Sequence, residues 1–210
     1  PLGRMSFIFD EDSIPDSDIV RYSEGRIAAL SNAAAGIESV FRDLFPEMAE
    51  KHSAMPPMMV PVEGLKPAQV GASLGQKINP FYKVMSQHNG IDLIVGQGTP
   101  VLAAGDGIVT DVRRSGKGLG NVVEITHDGG YVTVYAHLED IVVRKGERVK
   151  AGKKLAGVGI SGNSFAPHLH YEVRRDGEVL DPVNFFFASF SPEEYTRAAY
   201  LAATTGQSMD

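Results

Sequence analysis

The spacing of apolar positions changes near residue 55. Before it, Ile19, Val20, Ile27, Leu30, Ile37, Val40, Phe41, Leu44, Phe45 and Met48 recur at roughly helical intervals. Ala28, Ala29, Ala33, Ala34 and Ala35 lie among them and favour helix. The spacing predicts helix over residues 16–52, with Asp16, Ser17 or Asp18 as a cap. Gly36 marks a bend and Pro46 interrupts a helix interior, so one long helix and two shorter ones both fit the pattern.

Pro56-Pro57 and Pro61 punctuate a connector, and beyond them the pattern shortens and alternates. Residues 101–104, 107–113, 121–126, 131–136, 154–158 and 169–174 read as strands. Asp106-Gly107, Asp128-Gly129-Gly130, Lys145-Gly146 and Asp176-Gly177 read as turns between them. Ser191-Pro192-Glu193-Glu194 starts a last helix, and the end from about Thr204 is expected to be flexible. The organisation expected is a helical segment over 1–55, a domain of many short strands over 56–190, and a C-terminal helix with a flexible tail over 191–210.

Composition narrows the chemistry. The 210 residues carry a net charge of −6 with no basic run, which argues against nucleic acid as a partner. There is no cysteine, so any metal must be held by His, Asp or Glu. No stretch approaches the ~20 apolar residues of a transmembrane helix, and no signal peptide is visible. Pro1-Leu2-Gly3-Arg4 reads as the remnant of a cleaved tag, so an export signal or membrane anchor is expected to be missing from this sequence.

Histidine placement is the most informative feature. His88-Asn89-Gly90-Ile91-Asp92 puts an imidazole and a carboxylate either side of a tight turn that feeds a strand at 91–95. His168 and His170 are two apart on an alternating segment, and therefore on one face of a strand. His137 ends the strand 131–136. Taken singly, each has an ordinary structural reading. Together the four histidines and Asp92 supply three ligands for a catalytic zinc and two further imidazoles for proton chemistry. His127, beside Asp128-Gly129-Gly130, is expected to be an exposed hairpin residue, and His52 a solvated residue at a helix end.

These residues resemble the lysostaphin- and LytM-type zinc endopeptidases, which cut peptide bridges of bacterial peptidoglycan. The resemblance runs from about residue 71 to 185 and follows the family's order. It passes through His88-Asn89-Gly90-Ile91-Asp92, Gly98-Thr99-Pro100-Val101, Ala103-Ala104-Gly105-Asp106-Gly107 and Gly120-Asn121. It continues with Tyr135-Ala136-His137-Leu138, Val149-Lys150-Ala151-Gly152, Gly157-Val158-Gly159 and Ser161-Gly162-Asn163-Ser164, and closes on Pro167-His168-Leu169-His170-Tyr171-Glu172-Val173. It implies a mainly β, antiparallel sandwich or barrel-sandwich hybrid domain. It also implies one Zn2+ per chain, held by His88, Asp92 and His170, with His137 and His168 flanking the activated water. One would accept its proton and the other stabilise the oxyanion. Asn121 near the site, and Tyr82 as support for the transition state, are implied by the same resemblance.

The expected partners are peptidoglycan stem peptides or cross-bridges, cut by a D,D-type endopeptidase in the cell envelope, periplasmic or membrane-anchored. Self-association through the N-terminal helix is a further expectation. The alternative is a non-catalytic peptidoglycan-binding or hydrolase-activator module of the same fold. The sequence departs from the family at Gly75-Gln76-Lys77-Ile78-Asn79-Pro80, which keeps part of a Gly, Arg, His, Pro run, and at Ala166, where glycine is common. The glycine-turn pattern around Gly107 and Gly146 also resembles lipoyl and biotinyl carriers, but a carrier needs a lysine presented at a tight turn between matched strands, and no lysine here is a convincing candidate.

Overall fold

The computed structural model describes residues 55–210, together with Glu24 and Ala28, which are helical and exposed. The rest of the helical expectation for 16–52, and His52, lie outside the described residues. The chain divides into two compact units, Pro1–Ser53 and Ala54–Asp210.

The second unit is mainly β. In chain order its strands are β1 (Gly75–Ile78), β2 (Met85–His88), β3 (Ile91–Leu93), β4 (Pro100–Leu102), β5 (Gly107–Arg113) and β6 (Val122–Thr126). They continue with β7 (Tyr131–Ala136), β8 (Leu138–Glu139), β9 (Arg148–Val149), β10 (Lys154–Val158), β11 (Leu169–Arg175) and β12 (Glu178–Leu180). One helix, α1 (Pro192–Thr204), follows. All strand pairs are antiparallel. A sheet of order β12-β11-β7-β6-β5-β9, with β3 added on β11, faces a smaller sheet, β4-β10-β8, and β1-β2 forms a separate ribbon.

Alternation explains the layering, since side chains of a strand point to opposite faces by turns. Leu169, Tyr171 and Val173 of β11 enter one core with Ile91 and Leu93 of β3, Tyr135 of β7 and Ile125 of β6. The smaller sheet supplies Val101, Leu155, Ala156, Val158 and Leu138 to the same core. The intervening residues His170 and Glu172 face the other way, and that second face carries the chemistry.

Helix α1 starts at a capping box: Glu194 N–H donates to Ser191 Oγ (3.3 Å) and Ser191 N–H donates to Glu194 Oε2 (3.0 Å). It buries Ala198 and Ala202. At its other end, where carbonyls lack helical partners, the buried Lys77 ammonium donates to Ala202 O (3.4 Å) and Thr205 O (2.8 Å). This contact ties the helix end to β1. The residues beyond do not form the flexible tail expected from the sequence. Gln207 bridges Ile78, and Ser208 is 1% exposed. Among the described residues no helix is long and apolar enough to cross a membrane.

His127 is a second correction. It is 5% exposed, not a solvated hairpin residue. Its Nδ1–H donates to Asp106 O (2.8 Å), and its Nε2 meets Thr133 Oγ1 (2.8 Å). A buried chain continues through Tyr135 OH (3.0 Å) to the Ala104 N–H, which donates to that hydroxyl (2.9 Å). The strand reading missed the polar ribbon β1-β2, whose sequence does not alternate in an apolar pattern. It found β5, β7 and β10 to the residue.

Candidate metal centre

Three candidate ligand atoms converge because three strands are in register. His170 on β11 pairs with Asp92 on β3 and with Ala136 on β7, and directly opposed residues share a face. His88 ends β2, and Asn89-Gly90 returns the chain into β3. Gly90 lies so close to β11 that a Cβ there would stand 2.5 Å from Tyr171 O and 2.8 Å from His170 Nε2. Glycine is therefore what lets the turn bring His88 beside His170.

The resulting triangle is small. His88 Nε2 is 3.0 Å from Asp92 Oδ1 and 3.1 Å from His170 Nδ1, and His170 Nδ1 is 3.3 Å from Asp92 Oδ1. Asp92 is fully buried, and both imidazoles are nearly so. Each ring is fixed from behind. His88 Nδ1–H donates to Ser73 O (3.0 Å), and His170 Nε2–H donates to Glu172 Oε1 (3.3 Å). Glu172 Oε2 in turn accepts from Arg174 Nε (2.8 Å). In the neutral rings these outer bonds set the tautomers, so both inward nitrogens can offer lone pairs to a cation.

Three acceptors facing one another need a cation between them. Zinc binds imidazole and carboxylate at ~2.0–2.1 Å in a tetrahedral arrangement, which puts ligand atoms roughly 3.3 Å apart. The observed edges fit that spacing. The electrostatics agree. Burial opposes ionisation of Asp92, yet hydrogen bonds from His170 and His88, and their charges, hold its carboxyl well below the usual range. Burial likewise opposes a charged His170, but hydrogen bonds to Asp92 and Glu172, with the charges of Asp210 and Asp92, raise its pKa to about 10. The centre demands positive charge, which a proton or a divalent cation supplies.

His137 and His168 stand beside this triangle. The His137 ring centroid is 4.7 Å from that of His168 and 6.1 Å from that of His170. Both rings are anchored through Nδ1–H, to Ser161 O (2.8 Å) and to Ala166 O (2.8 Å) respectively. Both therefore aim Nε2 at the site. His168 Nε2 is buried with no hydrogen-bond partner among the described residues and lies 3.7 Å from Asp92 Oδ1. Burial pushes the His168 pKa down, against the pull of Asp92. His137 has φ 57°, a left-handed conformation uncommon outside glycine. Its N–H donates to Leu119 O (3.0 Å) and its carbonyl accepts from Gly159 N–H (3.0 Å), which hold the chain there.

Asn121 lies behind His137 as a bracket. Its Nδ2 donates to Leu138 O (2.8 Å), and its Oδ1 accepts from Ser115 N–H (3.2 Å). Tyr82 stands on the turn between β1 and β2, 71% exposed, outside the residues that line the cavity at the ligands. That cavity, about 240 Å³, is walled by Ser86, Gln87, Asn89 and Leu119 as well as His88 and His170.

Three participants escaped the sequence reading. Glu172 lies within the Pro167–Val173 motif, and its place two residues after His170 puts it on the same strand face. Ser73 acts through a backbone carbonyl, which no side-chain pattern signals. Asp210 joins His88, Asp92 and His170 as a fourth group able to hold a metal ion. Its distance along the chain gave no clue.

A β-sandwich core presenting His-x-x-x-Asp on one strand turn and His-x-His on the strand paired with it defines a zinc-peptidase-like class, and residues 86–182 match the model of peptidase family M23. The chain belongs to that family. Among its relatives, peptidoglycan DD-endopeptidase ShyA of Vibrio cholerae is 39% identical over 121 residues, 57% of this chain and 28% of the relative. The crystal structure of a zinc-containing peptidase from Vibrio cholerae superposes with TM-score 0.54 at 35% identity, covering 61% of this chain and 39% of that one. The catalytic domain of the antimicrobial peptidase lysostaphin from Staphylococcus simulans gives TM-score 0.51 at 30% identity, over 55% of this chain and 90% of that domain. The chain spans about a third of the length of the curated relatives it matches.

Proposed function

We propose that the protein is a zinc-dependent endopeptidase that hydrolyses peptide cross-links of bacterial peptidoglycan, of the D,D type, in the cell envelope. The observation that carries this reading is the convergence of four anchored imidazoles and Asp92 on one point, each ring with its far nitrogen bonded and its near nitrogen turned toward the site. His88, Asp92 and His170 would hold one zinc. The ion supplies Lewis acidity and lowers the pKa of water toward ~7. His168, whose buried Nε2 has no hydrogen-bond partner among the described residues, takes the proton released when water attacks the peptide carbonyl. His137, whose ring is anchored through Nδ1–H with Nε2 turned to the site, would stabilise the oxyanion that develops. The relative named a peptidoglycan DD-endopeptidase supports the substrate class.

We read residues 1–55 as a separate helical segment, a stalk or a lid or a means of pairing with a second copy.

The test pairs metal analysis with mass spectrometry of muropeptides from digested sacculi. The wild-type protein should carry near-stoichiometric zinc and cleave cross-links. His170→Ala should lose both. His168→Ala should keep zinc and lose ~10²–10⁴-fold in rate, the usual contribution of an acid–base side chain. Loss of zinc in His168→Ala would overturn this division of roles. Absence of zinc from the wild type, even after it is added back, would favour a non-catalytic module.

A further inference from the structure

Residues 206–210 run past the end of β1, bridged to it at Gln207, into the metal centre. On one side Ile78 N–H donates to Gly206 O (2.8 Å) and Ser208 N–H to Ile78 O (3.2 Å), a parallel bridge on the end of β1. On the other, Phe165 N–H donates to Met209 O (2.8 Å). Met209 N–H donates to Asp92 Oδ2 (2.8 Å), the carboxylate oxygen turned away from His88. Asn79 Nδ2 fixes Asp210 O (3.1 Å). The Asp210 side chain then lies among the imidazoles. Its Oδ1 is 3.6 Å from His88 Nε2, and its Oδ2 is 3.3 Å from His170 Nδ1 and 3.4 Å from His137 Nε2.

This is how a peptide substrate is held when it adds as a strand between two backbone walls. Phe81, two residues after Asn79, and Phe165 pack their rings edge to face with centroids 6.2 Å apart. The Asp210 carboxylate stands where a peptide carbonyl under attack must touch both the metal and His137. The segment is tethered to α1 by only one residue, Thr205, so its effective concentration at the site reaches at least the millimolar range of short linkers. A free peptide must compete with that.

We propose that residues 206–210 are a resident occupant of the protein's own peptide groove, with the Asp210 carboxylate as a displaceable fourth metal ligand, so that the conformation described is latent. Activity then requires displacement of this strand by the substrate peptide. The inference rests on the zinc-peptidase reading of the site.

The experiment uses the zinc-loaded full chain, Asp210→Ala and a chain ending at Thr205, with acetohydroxamate as a small metal-seeking probe followed by calorimetry. Zinc content and muropeptide cleavage are measured on the same samples. Both variants should keep one zinc, bind acetohydroxamate at least tenfold more tightly than the wild type, and cleave faster. Equal acetohydroxamate affinity in zinc-loaded wild type and Asp210→Ala would overturn the inference and leave the zinc-peptidase reading standing. Loss of zinc on Asp210→Ala would also overturn it, because Asp210 would then be a permanent ligand. Absence of zinc from all three proteins would sink the site reading itself, and this inference with it.

Discussion

At the scale of single residues, the centre depends on atoms that contribute no chemistry. Gly90 is the clearest case, because any side chain there meets Tyr171 O and the His170 ring. Gly90→Ala should cost about 1–3 kcal/mol, as overpacking of a tight site does. It should also weaken zinc binding, because the His170 ring is the softer of the two neighbours. A zinc-competition titration beside a thermal melt checks both, and unchanged zinc affinity would show that the turn yields instead. The side chains of the centre were legible in the sequence because their spacing encodes geometry, while the choice of His88, Asp92 and His170 as the zinc ligands among them came from the family resemblance. An i, i+2 pair on an alternating strand shares a face, and a turn between His88 and Asp92 folds one toward the other. Glu172 was legible by the same rule. Ser73 was not, because a carbonyl belongs to every residue and only the fold decides where it points.

At the scale of elements, alternation on β11 divides its labour, with Leu169, Tyr171 and Val173 in the core and His170, Glu172 and Arg174 linked on the other face. Strand β7 does the same through Thr133, which joins the buried chain from His127 to Ala104. Burial lowers the His127 pKa from its ordinary value near 6.5, against the pull of Asp106 O and nearby carboxylates. A histidine depressed on folding contributes stability that is complete above the unfolded-state pKa. That stability is lost as pH falls from ~6.5 toward the folded value, since the unfolded chain then binds the proton more readily. His127→Gln should therefore show a smaller loss of stability than the wild type between about pH 6.5 and 5, measured by urea unfolding. Identical slopes would mean the imidazole titrates alike in both states. The sequence put His127 at a hairpin turn correctly. Its burial came from the packing of β5, β6 and β7 around it.

At the scale of the whole molecule, the described core runs from Val60 to Ala202 and is complete across both larger sheets. Removal of residues 1–53 should leave cooperative thermal unfolding and one zinc per chain intact. Loss of either would mean that the first unit completes the fold of the second. The same truncated protein, assayed on a small soluble muropeptide, decides between a lid, which would raise the rate on removal, and a stalk, which would not. What the sequence by itself determined was local. It set strands by period-two patterning, turns by glycine, a capped final helix, and five side chains whose residue types and spacings suit zinc and proton transfer. Only the tertiary structure decided that β3, β7 and β11 lie side by side, that Ser73 and Glu172 orient the rings, and that residues 206–210 fill the groove. Those facts depend on contacts between residues as far apart as Asp92 and Asp210, and such contacts arise from the packing of sheets and not from any periodicity along the chain.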